Sequence, residues 1–192
     1  VLYVHGYGAT VDDSWRDHRL VDQFRKSGKN AVFVSVEAPA GPDDTVRFRR
    51  LDRVLALIER RLGRALPKRV IAMGHSGAYR TLLPWLRYGP LRHVVLLDCL
   101  YSTGRRFGAW LRRHPARRLT AIYRGRTPSR NSRWLAKHLG KLSVKAKRVP
   151  RLSRGLTAKQ RRARALFIHA QYSHLGIITS GRTIPLIVRD RL

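Results

Sequence analysis

A serine between an apolar segment and a helix-like segment is the first candidate for chemistry. Ser76 lies in the run GHSGA at positions 74–78, directly after the apolar segment 70–73. A nucleophile on such a sharp turn needs small residues two positions before and after it, because larger side chains would collide with the neighbouring strand and helix. Gly74 meets this need, and Ala78 stands where the usual pattern has glycine. The spacing favours a nucleophilic serine; the alternative is a serine in a tight turn without a catalytic role.

The elements that must position this serine alternate along the whole chain. We expect strands at 1–4, 31–36, 70–73, 94–97, 119–123 and 165–169. We expect helices at 12–27, 43–63, 107–113, 132–139, 157–164 and 184–191, and a further helix directly after Ser76. Strands that alternate with helices predict an α/β fold, a three-layer α/β/α sandwich around a mostly parallel sheet. In such sheets, sites form beyond the carboxyl ends of the strands.

In this context the GHSGA turn resembles the nucleophile turn of α/β-hydrolases. The segment His5-Gly6-Tyr7-Gly8, after the first expected strand, is similar to the His-Gly-x-Gly turn of that family. The resemblance implies that the backbone N–H groups of Tyr7 and Gly77 hold the oxyanion. His5, Gly6 and Gly8 would then line the site, with His5 bracing the loop rather than acting as a catalyst. His75 and Tyr101 are two further candidates for lining it.

The resemblance also implies an acid and a base, because the family orders its triad as serine, then carboxylate, then histidine. Asp98 follows the expected strand 94–97 and is the only carboxylate between Ser76 and Asp190. An isolated carboxylate beside apolar residues needs a partner, which a histidine N–H can supply. The alternative is an aspartate that pairs with one of the many arginines.

Two histidines compete for the role of base. His169 falls within the last expected strand, whereas His174 follows that strand in a loop. The family places its histidine in the loop after the last strand, so the resemblance favours His174. Together these residues predict a serine hydrolase that cleaves a carboxylic ester or amide through an acyl-enzyme, with the triad Ser76, Asp98 and His174. The segment between Asp98 and position 119 is too short for a cap domain, which predicts a minimal, open form of the fold.

The charge is extreme and unevenly placed. The formal net charge is +30, and residues 101–192 contain 24 lysines and arginines against a single acidic residue, Asp190. Such a field attracts anionic partners such as nucleic acid, acidic lipid head groups or cell-envelope polymers. The alternative is a solvated, arginine-rich surface without a specific partner. The segment 141–156 fits no element, and we expect an exposed basic connection that offers a polyanion contact through Lys141, Lys145, Lys147, Arg148, Arg151 and Arg154. The alternative function is a weak or inactive hydrolase-like module that binds such a polymer.

The composition sets further bounds. We expect a single domain over residues 1–192, and because Val1 already lies in an expected strand we also expect that residues before it have been removed. Cys99 is the only cysteine, which rules out an internal disulfide and argues against a cysteine-based metal site. The sequence predicts no cofactor, no metal and no membrane span. It indicates neither the compartment nor the oligomeric state.

Overall fold

A seven-stranded parallel sheet organises the chain. The computed structural model describes residues 1–67 and 69–191. The strands are β1 (Leu2–Val4), β2 (Val34–Val36), β3 (Val70–His75), β4 (Leu91–Leu97), β5 (Arg118–Tyr123), β6 (Ala146–Val149) and β7 (Ala165–His169). Their order across the sheet is β2-β1-β3-β4-β5-β7-β6, and every neighbouring pair is parallel. All carboxyl ends therefore meet at one edge of the sheet.

Helices cover both faces of this sheet. They are α1 (Val11–Arg16), α2 (Leu20–Lys26), α3 (Leu51–Leu62), α4 (Tyr79–Trp85), α5 (Gly104–Arg112), α6 (Arg126–Lys141), α7 (Ala158–Arg162), α8 (Gly176–Thr179) and α9 (Thr183–Arg191). Buried residues of α3 to α6 form one core, and buried residues of α2, α8 and α9 form the other. Strand β4 contributes Val94 and Leu96 to the first core and Val95 and Leu97 to the second. The alternation follows from strand geometry, which sends successive side chains to opposite faces.

This architecture is the predicted three-layer α/β/α sandwich, in its minimal form. Only α5 and its flanking loops connect β4 to β5, so the described chain contains no cap domain between these strands. None of the helices that the structure describes is long and apolar enough to cross a membrane.

Two predicted helices differ most from the observed ones, and the helix predicted at 132–139 is longer than expected, since α6 begins at Arg126 and ends at Lys141. The helix predicted at 12–27 is split into α1 and α2, because Arg19 adopts a left-handed backbone conformation with a φ of 52°. The helix predicted to start near Asp43 begins only at Leu51. Asp44 instead accepts a hydrogen bond from the Gly41 N–H at 2.7 Å, which stabilises a turn.

The segment 141–156, predicted as an exposed basic connection, contains a strand. Its residues Ala146–Val149 form β6, which pairs in parallel with β7 at the edge of the sheet. Val144, Val149, Leu152 and Leu156 are buried, so these apolar residues anchor the segment to the core. Lys147 and Arg148 are exposed on the edge strand, where charged side chains oppose pairing with another chain. The many basic residues of this segment masked the pattern of a short strand in the sequence.

Candidate functional site

Ser76 lies on a strained turn at the carboxyl end of β3. Its backbone is left-handed, with a φ of 50°, and it begins a short 3-10 turn, Ser76–Ala78, that leads directly into α4. A non-glycine residue in this conformation costs of order 1–3 kcal/mol, and such strain concentrates at functional sites. The turn lifts the serine off the sheet edge and directs the start of a helix toward it.

Close packing explains the small residues on both sides of this turn. A Cβ atom on Gly74 would lie 2.6 Å from Leu82 Cδ1 and 2.9 Å from Ala78 Cβ, so both positions must stay small. A Cβ atom on Gly77 would overlap the ring of Tyr7. The requirement that the sequence pattern implies is therefore a real steric one in this structure.

The loop after β1 packs directly against the serine turn. A Cβ atom on Gly6 would lie 2.8 Å from Ser76 Cβ. Gly8 has a φ of 73°, and its N–H donates to the Ala40 carbonyl at 2.9 Å. Within the part of the chain that the structure describes, the N–H groups of Tyr7 and Gly77 donate to no backbone or side-chain acceptor. Neither amide is therefore occupied by an acceptor from the described residues.

His5 has a structural position within this loop. Its side chain is fully buried, and its Nδ1 lies 2.8 Å from the Gly6 carbonyl oxygen. Its Nε2 lies 2.9 Å from Glu37 Oε1 and 3.0 Å from the Ala38 nitrogen. His5 therefore joins the loop after β1 to the loop after β2, as expected for a bracing residue, and its ring nitrogens are occupied by these contacts.

Asp98 and His174 meet at the same edge of the sheet. Asp98 directly follows β4 and is fully buried, and His174 lies in the loop after β7. Asp98 Oδ2 is 2.8 Å from His174 Nδ1. Because a carboxylate can only accept, Nδ1 carries the proton and Nε2 is left as the acceptor in the neutral ring.

The surroundings of Asp98 favour its charged form. Burial raises the pKa of Asp98, but hydrogen bonds from His174 and from the N–H groups of Arg124 and Gly125 outweigh it and hold that pKa below its usual range. The backbone of Asp98 is also left-handed, with a φ of 46°, and its N–H donates to the Ile122 carbonyl at 2.7 Å. A buried carboxylate with this many donors holds a histidine in one tautomer.

His75 packs between the serine turn and the histidine loop. The ring centroids of His75 and His174 are 4.5 Å apart, and His75 Nε2 lies 3.2 Å from the His174 carbonyl oxygen, which it donates to. Burial lowers the pKa of His75 to about 3, with a further contribution from His174. His75 is therefore neutral, and it holds the loop of His174 beside the serine turn.

The described side chains show no hydrogen bond between Ser76 Oγ and the His174 ring. In enzymes without a bound substrate this bond is often long or poorly aligned, and it tightens in the substrate complex. Of the predicted triad, the structure thus joins Asp98 to His174 directly, and it brings the His174 loop against the residue next to Ser76.

The other histidine considered for the role of base, His169, makes different contacts from His174. His169 ends β7, and its ring contacts Tyr123, with ring centroids 5.6 Å apart. Tyr101 does lie beside the serine: burial raises the pKa of Tyr101, and a hydrogen bond with Ser76 opposes that shift. The ring of Tyr101 is 6.1 Å from that of Tyr79 at the start of α4.

Sequence reasoning missed Arg124 and Gly125, which hold Asp98 through their backbone N–H groups. A Cβ atom on Gly125 would lie 3.0 Å from Asp98 Oδ2, so a side chain there would press on the carboxylate. The available signal was a glycine just beyond the strand 119–123, next to the strand that ends at Asp98. The sequence offers no other sign of a backbone donor, because nearly every residue has a backbone N–H.

The six basic residues predicted as one polyanion contact do not share one groove. Arg151 and Arg154 line a groove at the carboxyl edge of the sheet, next to Gln171 and Tyr172. Lys145 and Lys147 line a different groove near the amino ends of β6 and β7, with Lys159 and Arg162. Lys141 ends α6, and Arg148 lies on β6. The prediction that all six contact one polymer stays a prediction, and the two grooves must be tested separately.

Of the comparisons with known proteins, the family model agrees with this architecture. Among the described residues, no cluster of three histidine, cysteine or acidic side chains could hold a metal ion. A search of curated proteins and a search of solved structures each gave no match. The family model described as "Alpha/beta hydrolase family" matches residues 1–186, nearly the whole sequence. The chain therefore belongs to the alpha/beta hydrolase family.

Proposed function

We propose that this hydrolase is a serine hydrolase that cleaves a carboxylic ester or amide, with Ser76 as nucleophile, His174 as base and Asp98 as the acidic residue. The observation that carries the proposal is the left-handed backbone of Ser76 just after β3, where Gly6 packs against the serine and Gly74 leaves room for Ala78 and Leu82. A strained serine turn that depends on two glycines is costly to maintain without a function.

The proposed reaction begins with the attack of Ser76 Oγ on the substrate carbonyl carbon. His174 Nε2 takes the hydroxyl proton as the new C–O bond forms, and the carbonyl electron pair moves onto the oxygen. The free N–H groups of Tyr7 and Gly77 stabilise that oxyanion. The tetrahedral intermediate collapses as the bond to the leaving group breaks, and His174 gives its proton to the departing oxygen or nitrogen.

The second half of the reaction repeats these roles with water. His174 takes a proton from water, the hydroxide oxygen attacks the acyl carbon, and the bond to Ser76 Oγ breaks. The proton returns to Ser76 and an acid product leaves. Throughout, the buried Asp98 stabilises the charged imidazolium and keeps Nε2 directed away from itself, toward the reacting groups.

The alternative function, a hydrolase-like module that only binds an anionic polymer, needs none of these features. It requires neither the strained Ser76 nor the hydrogen bond between Asp98 and His174. The basic surface is compatible with either function, so the catalytic geometry favours the enzyme.

Ester turnover by matched variants tests the proposal. Ser76→Ala should lower kcat for p-nitrophenyl acetate by about 10⁴-fold or more, because it removes the nucleophile. Ser102→Ala is the matched control, since Ser102 is exposed and none of the described hydrogen bonds joins its side chain to the proposed triad. Equal turnover by the wild type and the Ser76 variant would contradict the proposal.

A further inference from the structure

An arginine-rich groove of about 470 Å³ lies at the same edge of the sheet as the proposed triad. Its walls come from the loop after β6, the loop after β7 and the first turns of α9 with the residues before them. Apolar residues such as Leu152 and Leu186 also line it. Its charged residues are Arg151, Arg154, Arg182 and Arg189.

Most of this charge is not neutralised. Arg189 Nε pairs with Asp190 Oδ1 at 2.9 Å, and its guanidinium also donates to the Arg154 carbonyl. The exposed guanidinium groups of Arg151, Arg154 and Arg182 pair with no carboxylate among residues 1–67 and 69–191. Arginine presents donors in a planar fork that matches a carboxylate or phosphate group. Three unpaired forks around one groove are suited to an anionic oxygen group.

The groove is connected to the proposed catalytic loop. Gln171 and Tyr172, which line it, precede His174 in the loop after β7. Gln171 Nε2 donates to the Leu152 carbonyl at 3.3 Å, which ties this loop to the loop after β6. The groove and the histidine therefore share one loop.

The spacing of the strands sets the length of a ligand that could reach both places. Ser76 directly follows β3, while the groove lies beyond β7 and β6, which are three and four strands away in the sheet order. At about 4.8 Å per strand, this separation is roughly 14–19 Å. A small ester such as an acetate cannot span it, but an extended chain with a charged end can.

We propose that this groove binds the anionic end, a carboxylate or phosphate, of an extended ester or amide substrate whose reactive carbonyl lies at Ser76. The inference rests on the proposed function and names its substrate class. At about 470 Å³ the groove has the volume of a small-molecule site, so an anionic end group together with part of its chain fits within it.

Matched esters test the proposal. The substrates are p-nitrophenyl monoesters of dicarboxylic acids of increasing chain length, each paired with the neutral ester of equal length. In the wild type, the ratio of kcat/KM for charged over neutral ester should rise once the chain is long enough to reach the groove. Arg151→Gln combined with Arg182→Gln should lower that ratio by about tenfold for the long esters, as expected for lost charged hydrogen bonds, and leave the neutral esters unchanged.

The matched control removes two positive charges at the opposite edge. Lys145 and Arg162 line the groove near the amino ends of β6 and β7, so Lys145→Gln combined with Arg162→Gln should leave the ratio at its wild-type value. An equal loss in both double variants would overturn the proposal, because it would show that only the overall charge matters. A ratio that does not change with chain length would overturn it as well.

A binding measurement separates this inference from the proposed function. Calorimetry with dodecanedioate and with inorganic phosphate should show weaker binding for the Arg151 and Arg182 double variant than for the control double variant. Binding of this kind without any ester turnover would contradict the serine hydrolase but keep the anion site. Turnover of neutral esters, with equal anion binding by the two double variants, would support the serine hydrolase and contradict the anion site.

Binding of duplex DNA gives a further outcome. If the wild type binds duplex DNA and both double variants bind it equally less tightly, the basic residues form a diffuse polyanion surface, which would overturn the groove as a site.

Discussion

Replacement of Asp98 by asparagine should disable the proposed triad without unfolding the protein. Asparagine has nearly the same shape, and it tolerates the left-handed backbone that Asp98 adopts better than most residues do. Its amide oxygen can still accept from the N–H groups of Arg124 and Gly125. The amide NH₂ then faces His174 Nδ1, where the carboxylate oxygen accepted a hydrogen bond at 2.8 Å.

This exchange of an acceptor for a donor sets the expected magnitude. His174 Nδ1 must now accept, so the ring proton moves to Nε2, the nitrogen that should take the proton of Ser76. A wrong tautomer in a Ser-His-Asp triad of this kind lowers kcat by about 10⁴-fold. Stability should change far less, because the two backbone hydrogen bonds are kept; the loss of one charged hydrogen bond costs about 1.5–3 kcal/mol.

Kinetics and urea unfolding measured on the same preparation check both parts of this prediction. The substrate is p-nitrophenyl acetate at neutral pH, and Asp190→Asn is the matched control, since Asp190 pairs with Arg189 and the Leu156 N–H away from the proposed triad. The control should keep wild-type kcat. A value of kcat for the Asp98 variant within about tenfold of the wild type would refute the tautomer argument.

Two further predictions concern packing and pH. Gly6→Ala should lower kcat and cost about 1–3 kcal/mol of stability, because the new methyl group would lie 2.8 Å from Ser76 Cβ and 3.1 Å from His75 Nδ1; Gly89→Ala, which meets no atom within 4 Å, is the control. Wild-type kcat in the Gly6 variant would show that the loop does not position the serine. Burial lowers the pKa of His75 to about 3 and that of His93 well below its usual range, so the folded form stays neutral while the unfolded chain takes up protons below a pKa of about 6.5. Stability should therefore be full above that pH and fall between pH 6.5 and 5 by roughly 1 kcal/mol per pH unit for each histidine. Urea unfolding at pH 7 and pH 5 measures this slope, and a slope unchanged by His75→Gln would contradict the assignment to His75.

The sequence predicted those positions of the candidate site that are fixed by where the strands end. Ser76, Asp98 and His174 each follow an apolar run, and parallel strands bring such positions to one edge whatever the details of packing. Strand β6 was not predicted, because its basic residues mask the buried Val149 and the short segment shows no clear period. The start of α3 was misplaced because acidic residues stabilise turns as well as helix ends.

Contacts made by the backbone could not be predicted at all. The N–H groups of Arg124 and Gly125 hold Asp98, yet any residue has an N–H, and only the three-dimensional path of the chain after β5 directs these two at the carboxylate. The contact of His75 with the loop of His174 is of the same kind, since it joins a side chain to a carbonyl 99 positions away. Sequence patterns locate the reacting groups, and the structure supplies what orients them.

The central claim is that Ser76 is an activated nucleophile, and covalent labelling tests it most directly. The wild-type protein should react with a fluorophosphonate probe, with loss of fluoride and formation of a phosphonyl ester on one residue. Mass spectrometry of the digested protein should locate that label on Ser76, and His174→Ala should slow labelling strongly because the base is lost. Failure of the folded wild-type protein to react, or a label on another serine that persists in Ser76→Ala, would contradict the account.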